Sequence, residues 1–136
     1  MKKVLFDSDV LLDILAQRQP FIVFSAQALN TVITKQAQGF VSGHAITNIF
    51  YILRRQIGSD ATKKLIENLL QNLQIASVTD AVIHQALQSP IKDFEDAVTS
   101  AAATAAGIEI IVTRNKVDFV GSLVPAVLPE EFLKML

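Results

Sequence analysis

Lys3-Val4-Leu5-Phe6 is an apolar run that breaks off at Asp7, and the same grammar repeats along the chain: a short apolar run, a polar break, then a stretch with helical spacing. The first run predicts a strand over residues 2–6. Val10, Leu11, Ile14 and Leu15 then follow a helical period, with Ser8 or Asp9 near the N-cap. Pro20 opens a second helix of about 17 residues, closed by Gly39 in the position after the C-cap that favours positive φ. Phe40-Val41-Ser42 reads as a second strand. Ile46, Ile49, Phe50 and Leu53 restore the helical period, which ends at Arg54-Arg55 and Gly58.

Ser59 or Asp60 caps a fourth helix reaching about Leu73, and residues 74–78 read as a third strand. Thr79 caps a helix that stops before Pro90. An alanine-rich helix runs from near Asp93 to Gly107, and residues 108–113 (Ile-Glu-Ile-Ile-Val-Thr) form the clearest strand signal in the chain. A weak strand at 124–128 precedes Pro129-Glu130-Glu131, a good opening for a terminal helix. Strands separated by helices imply right-handed βαβ crossovers. The predicted fold class is therefore α/β, a sandwich with helices on both faces of a mostly parallel, about five-stranded central sheet. Residues 1–136 read as one domain, with no linker or internal repeat.

Composition removes several classes of function. The chain has no cysteine, which excludes disulfide scaffolds, thiolate metal sites and cysteine nucleophiles. Twelve basic residues against thirteen acidic ones leave no global field for tracking a duplex through many phosphates, so any nucleic-acid contact must be local. Asp7, Asp9 and Asp13 interrupt what would otherwise begin like a signal peptide, and the longest uncharged stretch is too polar to span a bilayer. A soluble, cytoplasmic protein with no membrane partner is the expectation.

In open α/β sheets the functional crevice lies beyond the carboxyl ends of the strands. Asp7 and Asp9 follow the first strand there, Ser42 and His44 the second, and Thr113-Arg114-Asn115 with Asp118 the late one. Asp93-Phe94-Glu95-Asp96 adds three acids at the head of a helix. A 100° step places Asp93, Asp96 and Ser100 on one face and Phe94, Ala97, Val98, Ala101, Ala102 and Ala105 on an apolar one. If Asp7, Asp93 and Asp96 share a cleft, each neighbouring pair at 4 Å repels by about 4 kcal/mol at an effective dielectric near 20. A hard divalent cation such as Mg²⁺ or Mn²⁺ offsets that repulsion with oxygen ligands and can promote in-line displacement on phosphorus.

Plainer roles fit some of the same residues. Asp93 with Asp96 also matches an N-cap and an N3 acid, and Ser8 or Asp9 a simple cap. Asp7 abuts a buried strand, where a carboxylate is costly unless a hydrogen bond or cation satisfies it. His44 fits a cleft lining or a surface cap, His84 has no partner signal, and Arg54-Arg55 fits a helix C-terminus. Arg114 is the better placed cation for a phosphate.

Four stretches together resemble a known family: residues 6–13 (Phe-Asp-Ser-Asp-Val-Leu-Leu-Asp), 93–97 (Asp-Phe-Glu-Asp-Ala), 112–119 (Val-Thr-Arg-Asn-Lys-Val-Asp-Phe) and 128–133 (Leu-Pro-Glu-Glu-Phe-Leu). Their order and spacing are similar to PIN domains, especially the VapC-type toxins of bacterial toxin–antitoxin pairs. The resemblance implies a PIN-like three-layer sandwich and a metal-dependent endoribonuclease acting on RNA with Mg²⁺ or Mn²⁺. It also implies a homodimer and a cognate antitoxin protein.

Carried onto this sequence, the resemblance makes Asp7 and Asp96 metal-binding catalytic acids, with Asp93 an additional acid near the second. Asn115 stands where many members have a third aspartate, and Asp118, one helical turn later, either replaces it or acts through water. Asn48 stands where many members have a glutamate. Ser8, Asn48, Thr113 and Arg114 are the expected substrate-binding residues. Phe21, Phe24, Phe50 and Tyr51 offer an apolar surface for a second subunit or the antitoxin.

Two other readings compete. Asn48 and Asn115 would suit a PIN-like module that binds a partner or RNA without cleaving it. Asp7-Ser8-Asp9 also looks like the nucleophile and acid of a haloacid-dehalogenase-type phosphatase, with Ser42 at the phosphate. Leu11 at the fifth position, the missing lysine and the short chain weigh against that reading.

Overall fold

The computed structural model describes residues 1–136. Five strands, β1 (Lys2–Phe6), β2 (Ala37–Ser42), β3 (Leu73–Ala76), β4 (Ile110–Val112) and β5 (Ala126–Val127), form one sheet. Their order is β3-β2-β1-β4-β5, and every neighbouring pair is parallel. Seven helices connect and cover them: α1 (Ser8–Leu15), α2 (Ile22–Ile33), α3 (Gly43–Ile57), α4 (Ser59–Leu69), α5 (Asp80–Leu87), α6 (Phe94–Ala105) and α7 (Pro129–Leu133). A short 3-10 turn, Lys116–Phe119, follows β4. The expected α/β sandwich is found, with a sheet that is wholly rather than mostly parallel.

Alternation along β1 divides the core. Val4 and Phe6 join α1, α2, α3, α4 and α7 on one face, whereas Leu5 joins α5 and α6 on the other. Phe132 of α7 has no exposed surface and meets Phe6 edge-on at 6.4 Å, a burial worth about 1.5–3 kcal/mol. That contact closes the apolar layer immediately beneath Asp7. The chain winds from β1 out to β3 and then returns to the other side of β1 as β4. The resulting switch point between β1 and β4 opens a crevice at their carboxyl ends.

Several boundaries differ from expectation for identifiable reasons. The α1 N-cap is Asp7 itself, whose carboxylate accepts the Ser8 N–H at 2.9 Å, rather than Ser8 or Asp9. Helix α2 ends at Ile33, and Lys35 takes the positive φ of 62° assigned to Gly39. Gly39 lies inside β2, where a Cβ would stand 2.5 Å from Leu73 Cδ2 and 2.7 Å from Val32 Cγ2. Glycine is there for close approach of a helix and a strand to the sheet. Gly39→Ala is expected to cost about 1–3 kcal/mol through overpacking, measured by denaturant unfolding. Helix α4 stops at Leu69 with Gly58 as its N-cap, so Leu73 belongs to β3. Phe94, assigned to the apolar face of α6, is 47% exposed at its first turn.

Candidate active site

The crevice at the switch point is built from four segments. Asp7 leaves β1 as its backbone N–H donates to Val112 O of β4 at 2.9 Å, which sets the two strand ends side by side. One carboxylate oxygen accepts the Ser8 N–H, and the other accepts the Thr113 hydroxyl at 2.9 Å. Burial nevertheless raises the Asp7 pKa, with Asp118 and Asp93 adding to the rise and the two hydrogen bonds opposing it. Ser8 contributes its backbone to this arrangement.

Asp96 is the third residue of α6. Its backbone N–H is capped by the Asp93 carboxylate at 3.0 Å, so the capping role open for Asp93 is real and occupies one of its oxygens. The Asp96 pKa is pushed up to about 7, first by burial and then by the charges of Asp7, Asp93, Asp118 and Asp9. Asp118 is exposed on the 3-10 turn. The carboxylates singled out in the sequence, Asp7, Asp93, Asp96 and Asp118, therefore lie in one another's electrostatic field. No three carboxylate or histidine side chains converge closely enough to hold a cation by themselves.

Asp9 carries more than the capping role considered for it. Its Oδ2 accepts Asn115 Nδ2 at 2.8 Å and the Arg114 N–H at 3.2 Å, while its Oδ1 is buried with no partner. Burial, followed by the Asp7 charge, pushes its pKa up to about 6 against the pull of Arg114. Four residues along the same helix face, Asp13 is fully buried and accepts Arg114 Nε at 2.7 Å and Ser25 Oγ at 3.1 Å. The signal for this pair was present in the sequence. Two acids at i, i+4 repel unless something stands between them.

Arg114, expected at a phosphate, thus turns its Nε inward to Asp13, and its guanidinium lies 3.9 Å from the centre of the Phe21 ring. Thr113 is also displaced from its expected place at the substrate. It has no exposed surface, and its hydroxyl links Asp7 to the Asn115 N–H at 3.1 Å. If Asp7 holds a divalent cation, removing that hydroxyl in Thr113→Val is expected to weaken its affinity 10- to 100-fold, measured by Mn²⁺ titration of the purified protein.

The two asparagines at acid positions each bring a carboxylate with them. Asn115 donates to Asp9, and Asn48 Nδ2 donates to Glu95 Oε2 at 3.2 Å. Glu95, counted in the sequence among the three acids at the helix head, was given no site role there. His44, on the same side, has Nε2 3.2 Å from the Glu95 carbonyl and 3.3 Å from Thr99 Oγ1. A carbonyl only accepts, so Nε2 carries the hydrogen. Burial lowers the His44 pKa and favours the neutral ring. His44 thereby ties α3 to the first turn of α6.

No helix is long and apolar enough to cross a membrane. Of the apolar surface expected for a partner, Phe21, Phe24 and Tyr51 are exposed and Phe50 is half-buried.

This architecture has close counterparts. Ribonuclease VapC1 of Aquifex aeolicus (strain VF5) is 25% identical over 138 residues, 96% of this chain and 93% of that protein. A toxin–antitoxin complex from Klebsiella pneumoniae contains a chain that superposes with a TM-score of 0.70 at 22% identity, covering 93% of this chain and 97% of that one. VapC20 of Mycobacterium tuberculosis, described as a sarcin-ricin loop cleaving toxin, gives 0.68 at 15% identity over 88% and 96%. The model of the PIN domain matches residues 3–117, a span running from β1 through the loop after β4 and so including Asp7, Asp9, Asp93, Asp96 and Asn115. By that match this chain belongs to the PIN domain family.

Proposed function

We propose that this protein is a divalent-metal-dependent endoribonuclease of the VapC type, the toxin of a toxin–antitoxin pair. The observation that carries the reading is the crowding of acids at the switch point: burial raises both the Asp7 and Asp96 carboxyl pKa values, with Asp118 and Asp93 adding to the rise at Asp7 and Asp7, Asp93, Asp118 and Asp9 adding to it at Asp96. Structural acids are normally stabilised as anions, whereas these are held at a cost that a bound cation would relieve. The donors fit a hard cation. They are oxygens, the buried Asp9 Oδ1 lacks a partner, and Mg²⁺ or Mn²⁺ commonly uses one or two protein carboxylates and fills its shell with water and phosphate oxygens.

Asp7 and Asp96 are the residues that would hold the metal, with Asp93 and Asp118 contributing charge at the rim and Asn115 acting through Asp9. The cation would supply Lewis acidity toward a phosphodiester and a lower pKa for the attacking water. Thr113 fixes the direction of the Asp7 carboxylate, and the Asp13–Arg114–Asp9 braces hold α1 and the loop after β4 in register. Asp118, exposed at the rim, is free to accept a proton from an incoming water. Ser8 and Asn48 are the residues we assign to contact the RNA.

The relatives' names support RNA as the substrate and an antitoxin as the partner. The exposed apolar residues Phe24 and Tyr51 offer a contact surface for that antitoxin or for the second subunit of a homodimer. The phosphatase reading is disfavoured because Asp9, its mobile acid, is anchored by two hydrogen bonds. The non-cleaving reading loses its main support because both amides are paired with carboxylates.

The test is cleavage of a single-stranded RNA by protein stripped with chelator. Activity is expected to be absent without metal and restored by Mg²⁺ or Mn²⁺. Cleavage indifferent to chelator would remove the proposal.

A further inference from the structure

Two cavities of similar size lie side by side next to the acidic cleft. The nearer, about 450 Å³, is lined by Pro90, Lys92, Asp93, Val117, Asp118 and Val120, so two of the cleft's carboxylates form its wall and Lys92 is its one cation. The farther, about 440 Å³, shares Pro90 and is lined by Gln85, Gln88, Ser89, Ser100, Thr104 and Leu123, with no charged group. Both volumes suit a small organic ligand. The side chains of Gln85 and Gln88 are exposed and make no hydrogen bond within the chain.

The loop between the cavities is fixed in place. Ser122 Oγ lies 2.7 Å from Ser100 Oγ and donates to Val124 O at 2.7 Å. Gly121 has φ of +99°, and a Cβ there would meet Pro90 at 3.0 Å. Yet this anchored loop turns Val117, Val120 and Leu123 outward at 74%, 73% and 84% exposure. Folding gives no reason for that row. A planar ligand with apolar faces does, provided its edge can hydrogen-bond to neutral amides and its backbone carries negative charge toward Lys92.

We propose that the paired cavities are a track for single-stranded RNA beside the acidic cleft. A phosphate next to the scissile one lies at Lys92. The following unpaired nucleobase lies against Leu123 and is read at its edge by Gln85 and Gln88. Glutamine suits that role because its amide offers a donor and an acceptor side by side. This inference rests on the reading of the acidic cleft as a phosphodiester-cleaving site. It adds Gln85 and Gln88 at the end of α5, Leu123 after the 3-10 turn and Lys92 ahead of α6; Lys92 shares its cavity with Asp93 and Asp118, and the other three line the neighbouring one.

The experiment measures binding separately from cleavage. Fluorescence anisotropy of a labelled single-stranded RNA octamer would be followed in an Asp96→Asn background, with and without Gln85→Ala/Gln88→Ala, and separately with Leu123→Ser. Each change is expected to weaken binding about 10-fold, the range of one bidentate base contact, and to leave binding of duplex RNA unchanged because its base edges are occupied. With Asp96 intact, the same changes should raise KM about 10-fold at constant kcat, the signature of uniform binding. These positions are exposed, so unchanged thermal unfolding is expected and serves as the folding control. Unaltered octamer affinity and KM, in a protein that still cleaves RNA, would overturn the track and leave the nuclease reading intact. A wild-type protein that neither binds nor cleaves RNA would overturn both.

Discussion

Substituting Arg114 by methionine is expected to destabilise the protein by about 3–5 kcal/mol, the cost of leaving a buried charge without its partner. Asp13 is the charge in question: it has no exposed surface, and Arg114 Nε, 2.7 Å away, is its only cationic contact. Ser25 donates to the same oxygen and cannot replace that charge. Replacing both partners, as in Asp13→Leu/Arg114→Met, should recover much of the loss because an apolar pair of similar volume needs no solvation. Denaturant unfolding of the two single variants and the double variant measures the coupling. A site for Arg114 at a substrate phosphate predicts the opposite pattern, with stability near wild type and affinity for RNA lost.

The second large effect is a separation of stability from activity at Asp96. Its carboxyl pKa is about 7 in the folded protein against 3.8 in the unfolded chain, so the folded state binds more protons between those values. The resulting cost is absent below pH 4, grows through pH 4–7 and is complete above pH 7. Asp7 and Asp9 shift in the same direction. His44 works against them, because its lowered pKa makes the folded state less stable as pH falls below 6.5. Three acids outweigh one half-buried histidine, and the metal-free protein is expected to melt at higher temperature at pH 5 than at pH 8.

Asp96→Asn removes one of the three acids. Screening by water in the open cleft reduces its share to on the order of 1–2 kcal/mol. Melting at pH 8 should accordingly rise by roughly 3–8 °C. Mn²⁺ should raise the melting temperature of the wild type at pH 8 far more than at pH 5, where protons compete for the same oxygens.

The layered α/β order was legible because its signals are local. An apolar run ending at Asp7 and an alanine-rich helix headed by three acids need no knowledge of distant residues. Asp7, Asp93 and Asp96 could be picked out as candidates for the same reason, since each stands at a strand or helix end, and Asp118 because it follows the late strand. What escaped depends on pairing across the chain. Asp13 reads as an acid on a helix until Arg114, 101 positions later, is seen to neutralise it. Thr113 reads as a substrate-binding residue at the end of the late strand until the β1–β4 pairing turns its hydroxyl onto Asp7. Asn48 reads as a lost acid until Glu95 is found beside it. Gly39 was misassigned because glycine after a helix has a common local explanation, and only the packing of Val32 and Leu73 reveals the other one.

The central claim is that the carboxylates at the switch point cleave RNA, and cleavage by Asp7→Asn and Asp96→Asn beside the wild type tests it most directly. All three proteins would receive the same end-labelled single-stranded RNA with Mn²⁺ at pH 8, their folding being checked by melting in the same buffer. Both variants are expected to fold and to lose at least about 100-fold in rate, since changing even an outer-shell partner of a metal costs 10- to 100-fold. Folded variants that cleave at the wild-type rate would contradict the account.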